Sequence, residues 1–306
     1  MDRFEAMQTL LAAIDGGSLS AGSRTLNTPL PTVSRRVSEL EAHLGAQLLV
    51  RTSRKLILTE AGEAFVVTAR RLLDELGEAE RAASGEYRAP RGELMVTAPI
   101  MFGKIHVAPI VHEFLAAYPE VTVRLVLSDQ VIDLAEAQVD IAVRIGRLPD
   151  SDLIARQVGH VRWIFCASEA YLMRRGEPVT PHALAEHDCI AFEGLQTYRT
   201  WPAGAGPAEN SITIRPRFSV NTADAVVEAA ASGLGVARIM SYQAADAIAS
   251  RRVTPILRSF SPPSIPVSLI HEPRRSQPLK RRAFLDFVAP RLTAALAKVD
   301  QAVSAK

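Results

Sequence analysis

The chain has 306 residues, and its 35 Lys plus Arg against 33 Asp plus Glu leave a net charge of only +2. Such a length exceeds what one core sustains, so two or three units are expected, and any basic surface must be local rather than general. No apolar run reads as a membrane span, Met1-Asp2-Arg3-Phe4 opens an amphipathic segment rather than a signal peptide, and Cys166 and Cys189 sit in strand-like apolar runs as reduced thiols do, which points to the cytoplasm.

In chain order, Leu19 to Leu26 reads as a short helix with Ser18 as N-cap and Asn27-Thr28 as the turn after it. Val33, Val37, Leu40 and Leu44 then recur at the four-three-four interval that lines one face of a helix, and this face is expected to pack inward. Opposite it lie Pro31, Thr32, Arg35 and Glu39, flanked by Ser34 and Arg36, and these short polar side chains and guanidinium forks suit base edges and phosphates. Two helices and a turn make a helix-turn-helix, with double-stranded DNA as the expected partner. Leu48-Leu49-Val50 and Leu56-Ile57-Leu58 bracket Arg51-Thr52-Ser53-Arg54-Lys55, the pattern of a two-stranded wing whose Arg51, Arg54 and Lys55 meet the phosphate backbone. Alone, that basic segment reads better as a solvated loop; the adjoining helix pair reverses the preference in favour of the wing.

Thr59 is a good N-cap, and Phe65, Ala69, Leu72, Leu76 and Ala79 form a heptad seam on a helix running from Glu60 to Ser84. At 1.5 Å per residue this helix extends roughly 37 Å, too long to bury both faces in one subunit, so a dimerising linker is expected; the alternative is a helix docked on its own domain. Gly85, Pro90 and Gly92 break the pattern, which places a boundary near Pro90 and divides the chain into residues 1–59, 60–89 and 90–306.

Beyond the break, strand and helix signals alternate as in an α/β domain. Strands are expected at Leu94–Ala98, Val121–Leu127, Asp140–Ile145, Arg162–Ala167, Asp188–Phe192, Leu234–Ala237 and Val267–His271, and helices at about Gly103–Tyr118, Ala223–Ser232 (ended by Gly233) and Gln277–Val299. Open α/β sheets bind ligands beyond the carboxyl ends of their strands. That rule selects the loop with Ile100, Met101 and Phe102, then Ser128-Asp129, then Asn221 and Thr222 at a helix start able to hold a carboxylate, with Ile145 and Phe192 as apolar walls. For each of these a plain turn or cap is the competing reading.

Catalytic and metal-binding patterns do not form. His182, His187 and Cys189 match no zinc spacing, His112-Glu113 and His271-Glu272 lack a second His four residues on, Gly204-Ala205-Gly206 runs into Pro207, and Gly103-Lys104 lacks the Ser or Thr of a phosphate loop. Neither an enzyme nor a cofactor is expected.

Taken together, Ser18-Leu19-Ser20, Leu26-Asn27, Val33-Ser34-Arg35, Leu40-Glu41, Leu44-Gly45, Arg51, Arg54 and Leu58-Thr59-Glu60-Ala61-Gly62 resemble the LysR-type transcriptional regulators. Val131-Ile132-Asp133-Leu134, Val139 to Gly146, Ser168 to Leu172 and Gly176-Glu177-Pro178 extend the likeness over nearly the whole chain. The resemblance implies a winged helix-turn-helix, rich in α-helix, followed by a two-lobed α/β effector-binding domain similar to periplasmic solute-binding proteins. It further implies lobes of about 90–162 plus 265–306 and 163–264, crossings near Arg162 and Ile265, and a homodimer or homotetramer that answers a small-molecule effector at promoter DNA. Pro31, Thr32, Ser34 and Arg35 inherit the reading role. Two departures stand out: Pro29 and Leu30 replace the family's usual capping Ser and base-reading Gln, leaving Thr28 as the expected cap, and Met101 replaces a frequent Ser or Thr. The second favours an organic or aromatic acid with an apolar body. The competing reading is a solute-binding module whose helical N-terminus only oligomerises.

Overall fold

The computed structural model describes residues 1–51, 56–83, 89–130, 133–134, 137–149, 151–193, 199–202, 211–273 and 278–304. They form two compact units, Met1–Arg88 and Ala89–Lys306.

In the first unit, α1 (Arg3–Asp15) starts where the Asp2 carboxylate accepts from Phe4 N, and α2 (Leu19–Thr25) where Ser18 Oγ accepts from Ala21 N at 3.1 Å. A Cβ on Gly22 would lie 2.7 Å from Ala13 N, so glycine sets how closely α2 approaches α1. Asn27 takes a left-handed turn (φ 48°), and Ser23 Oγ donates to Thr28 O at 2.6 Å to tighten it. The next helix, α3 (Leu30–Leu44), ends at left-handed Gly45. A hairpin of β1 (Leu49–Arg51) and β2 (Leu56–Leu58) sets Leu49 opposite Leu58, and α4 (Glu60–Ala83) follows, Thr59 Oγ accepting from Gly62 N at 2.9 Å. Ala6, Leu10, Val37, Leu40, Leu48 and Val66 make the core.

Three expectations change here. Leu44 is 40% exposed, because the helix stops beside it and Leu48 fills the core instead. Thr28 does not cap α3: its hydroxyl donates to Leu26 O, and α3 starts on Pro29 with Pro31 in the first turn, where a missing N–H has no helical partner to lose. On α4 the buried stripe is Gly62, Val66 and Ala69, so the expected seam residue Ala69 is covered by its own unit. Phe65 is half-buried against the same core, Leu72 stays exposed and Leu76 is half-buried; the side chain of Ala79 lies outside the described residues.

The second unit begins with β3 (Gly92–Ala98). A continuous helix follows, made of α5 (Ile100–Phe102), a π-helical turn (Gly103–Val107) and α6 (Ala108–Ala117). Next come β4 (Val121–Leu127), β5 (Ile141–Ile145), β6 (Ile154–Val161), β7 (Trp163–Ala167), α7 (Glu169–Arg175), β8 (Cys189–Phe192), β9 (Thr200–Pro202), β10 (Ser211–Thr213) and β11 (Pro216–Val220). The chain then runs through α8 (Ala223–Ala231), β12 (Val236–Met240), α9 (Ser241–Ala249), β13 (Thr254–Ile256), β14 (Ile265–His271) and α10 (Leu279–Ser304). One five-stranded sheet has the order β4-β3-β5-β14-β6 and the other β11-β8-β12-β7-β13; β9 and β10 form a separate hairpin. In the first sheet β3 is parallel to β4 and β5 while β14 is antiparallel to β5 and β6; in the second β8 is parallel to β11 and β12 while β7 is antiparallel to β12 and β13.

The chain leaves the first sheet at Val161 and enters the second at Trp163, with Arg162 alone between them, and returns ahead of Ile265. Ser241 clamps that crossing: its N–H donates to Arg162 O at 2.7 Å and its Oγ accepts from Arg162 N at 3.2 Å. The last helix serves both lobes. Phe284, Val288, Leu292 and Leu296 of α10 join the first lobe's core, but Val303 joins the second, whereas the sequence assigned 265–306 wholly to the first.

Ile100–Ala117 is long and apolar enough by composition to cross a membrane, contrary to the expectation that no segment was. Here it is a core helix, its Phe102, Val107, Ile110, Val111 and Phe114 buried in the first lobe.

Candidate nucleic-acid interface and ligand cavity

The outward face of α3 follows from its buried stripe. Val33 and Val37 are fully buried, which leaves Pro31 and Arg35 exposed and Thr32 and Ser34 half-exposed beside them. Arg35 is held only by Glu39 one turn on, at 3.3 Å and with 69% of its side chain exposed; such a surface pair is worth little and yields to a phosphate or a base edge. Arg36 differs: it pairs with Glu5 of α1 at 2.6 Å, so it braces the helix pair instead of facing outward alone. The C-terminal half of α3 is tied to the hairpin by Glu41, whose carboxylate accepts from Leu48 N at 2.9 Å and Leu49 N at 3.1 Å. Arg51 ends β1, its side chain outside the described residues, as are Arg54 and Lys55 altogether.

Between the two sheets of the second unit lies a cavity of about 970 Å³. Of the residues singled out from the sequence, Ile100, Met101, Ile145, Phe192, Asn221 and Thr222 line it. Phe102 and Ser128 do not. Phe102 is fully buried because the segment after β3 is already helical and turns that ring into the core, against His106 and Tyr242. Ser128 instead spends its hydroxyl on Gln130 N, 3.1 Å away.

Asp129, which the same rule selects, lines the cavity too, as do Lys104, His106, Trp163, Tyr242 and Gln243, which were not singled out. Asp129 stands two residues past β4, and its Oδ1 accepts from Ile100 N at 3.0 Å and caps the helix. Tyr242 had no readable signal, since it reaches the cavity only through the clamped crossing.

Several charges around the cavity are already engaged. The Thr222 hydroxyl, with the Ala225 N–H and Lys104, holds the Asp224 carboxyl below its ordinary range, so the start of α8 carries its own acid. Arg252 grips Glu228 with both contacts under 3 Å (2.8 and 2.9 Å). Burial pushes the Tyr242 phenol up, Asp129 adding to it, and pushes the His106 imidazole down. Away from the cavity, burial lifts the Cys166 and Cys189 thiols to about 12, which makes both poor nucleophiles.

His187 is also lowered, by burial first and Arg175 second. A histidine whose folded pKa falls below its ordinary 6.5 binds its proton more readily when unfolded, so stability is full above that value and declines as pH falls through it, until the folded group protonates too. The melting temperature of the second unit is therefore expected to drop between about pH 7.5 and 5.5, and less steeply in His106→Phe. Melting curves across that range check it; a flat profile contradicts the burial argument.

Residues 88–293 match the LysR substrate binding domain, and residues 4–63 match the bacterial regulatory helix-turn-helix protein model of the lysR family. An HTH-type transcriptional regulator of Xanthomonas campestris is 34% identical over 91% of this chain and 82% of its own length. The regulator CrgA of Neisseria meningitidis is 32% identical over 94% of this chain and 96% of its own. The solved structure of CrgA from that organism, a LysR-type regulator, matches with a TM-score of 0.60 at 31% identity, covering 94% of this chain and 98% of that one. A helix-turn-helix with an exposed polar face, a two-lobed domain around a cavity and these matches agree: the chain belongs to the LysR family of DNA-binding transcriptional regulators with an effector-binding domain.

Proposed function

We propose that this regulator works as a homodimer or homotetramer in the cytoplasm, without turnover of its own, and reads promoter DNA through Pro31, Thr32, Ser34 and Arg35 in the major groove. The observation that carries this reading is the exposure of Arg35 on the face of α3 opposite fully buried Val33 and Val37. Leu30, 41% exposed in the first turn, offers only an apolar surface, which favours thymine methyl groups over purine edges at the base it meets. The wing tip, with Arg51, Arg54 and Lys55, supplies phosphate contacts that fix register without reading sequence. Phe65, Leu72, Leu76 and Ala79 of α4 join the subunits, Leu72 being exposed for that purpose. Two half-sites are then held by one body.

The cavity takes an organic acid with an apolar or aromatic body. Its walls are apolar, through Ile100, Met101, Ile145, Trp163 and Phe192, and Lys104 supplies a cation at its edge. Binding between the lobes favours one arrangement of the two sheets, and that preference is the coupling to DNA.

Arg35→Ala should lower affinity for the cognate promoter by about 1–3 kcal/mol, approach the affinity for unrelated duplex, and leave ligand binding by the cavity intact. Fluorescence anisotropy with both duplexes measures this. Undiminished selectivity in the variant would remove α3 from the reading role.

A further inference from the structure

The cavity contains one buried polar atom that the protein itself leaves unmatched. His106 lies in the π-helical turn Gly103–Val107, a distortion that recurs in helices at functional sites. Its ring lines the cavity, and its Nε2 is buried without a hydrogen-bond partner among the described residues. The ring is held in place: its centroid lies 5.0 Å from that of Phe102 and 5.9 Å from that of Tyr242, and these two meet edge to face at 5.2 Å. Buried nitrogens are rarely left unpaired in native proteins, and one on a cavity wall is matched by whatever fills the cavity.

The neighbouring groups narrow the chemistry. Burial keeps the imidazole neutral, so Nε2 is an acceptor in one tautomer and a donor in the other, and no full charge awaits a carboxylate at this depth. Tyr242 is also uncharged; its oxygen accepts from Gln243 Nε2 at 3.3 Å, which leaves its own O–H to donate. The nearby carboxylate of Asp129 is spent on Ile100 N. A ligand hydroxyl can accept from Tyr242 and also match His106 in either tautomer, donating to a bare Nε2 or accepting from a protonated one. Around these two lie Ile100, Met101, Ile145, Trp163 and Phe192, suited to a ring or hydrocarbon body.

Resting on the proposal that this cavity holds the effector, we infer that the effector carries a hydroxyl on its apolar body and that His106 is the residue that reads it. His106 thereby takes over the polar contact that Met101 cannot make.

The full-length protein tests this with benzoate, its three hydroxylated isomers and phenol as probes, followed by thermal shift and by the fluorescence of Trp163 in the cavity wall. At least one hydroxylated probe should bind wild type about tenfold more tightly than benzoate, the worth of one well-made buried hydrogen bond. His106→Phe, which keeps the ring's bulk, should erase that difference. His106→Gln, which restores an amide able to donate and accept, should recover part of it. If wild type binds benzoate and its hydroxylated isomers equally, or His106→Phe discriminates as wild type does, the role of His106 is overturned while the cavity remains the effector site. If no probe binds wild type at all, the effector reading of the cavity fails along with it.

Discussion

Gly62→Ala is expected to cost the first unit about 3 kcal/mol or more and to abolish promoter binding with it. The reason is steric, not conformational: a Cβ at this position would lie 2.1 Å from Leu48 O and 3.1 Å from Leu58 Cδ2, and Leu48 O already accepts from Thr59 N at 3.0 Å. A carbonyl fixed by the backbone cannot step aside as a side chain can. The Leu48 N–H also donates to the Glu41 carboxylate, so the clash falls where α3, the hairpin and the start of α4 are joined. Glu63→Ala, one residue on and exposed, should stay within about 0.5 kcal/mol of wild type. Denaturant unfolding of the two variants, with a promoter-binding assay beside it, settles the matter; unfolding of Gly62→Ala at the wild-type midpoint would mean that the hairpin is not anchored there.

The first unit was legible because its signals are local. Ser18, Thr59 and the Val33, Val37, Leu40 stripe each act within one or two helical turns, and the caps and buried face sit where spacing places them. Spacing says less where a position answers to a distant partner. Arg36 is on the outward flank by spacing but is drawn to Glu5, and Ala69 fits a seam by spacing but is covered by its own unit. In the second unit, β3, β4, β5, β7, β8, β12 and β14 follow apolar runs, whereas β6 hid behind Arg156, Gln157, Gly159 and His160, because only Val158 and Val161 of this edge strand are buried. The cavity was half legible for the same reason. Residues following strand ends could be found by rule, while Tyr242, Gln243 and Trp163 arrive through the crossing at Arg162, a three-dimensional closure that no periodicity records.

That closure also explains where the second large effect is expected. Arg281→Met should destabilise the effector-binding unit by about 3–5 kcal/mol, the cost of removing one partner from a buried ion pair. Arg281 has only 1% of its side chain exposed; it meets Asp140 Oδ1 at 3.4 Å and donates to Glu272 O at 3.3 Å. Asp140 in turn accepts from Met95 N at 3.0 Å through its other oxygen, so the pair pins the first turn of α10 to β3, an interior strand of the first sheet. From that anchor α10 runs through the first lobe's core to Val303 in the second, and on the way Asp300 pairs with Arg162 at the crossing. Losing the anchor therefore loosens the helix that holds both walls of the cavity, not one wall alone. Adding Asp140→Asn to Arg281→Met removes the stranded charge but keeps an acceptor for Met95 N, and should recover at least half of the loss. Thermal melts of the single and double variants distinguish the two contributions: recovery assigns the cost to an unpaired buried carboxylate, whereas equal destabilisation assigns it to the packing of the Arg281 side chain against the first sheet.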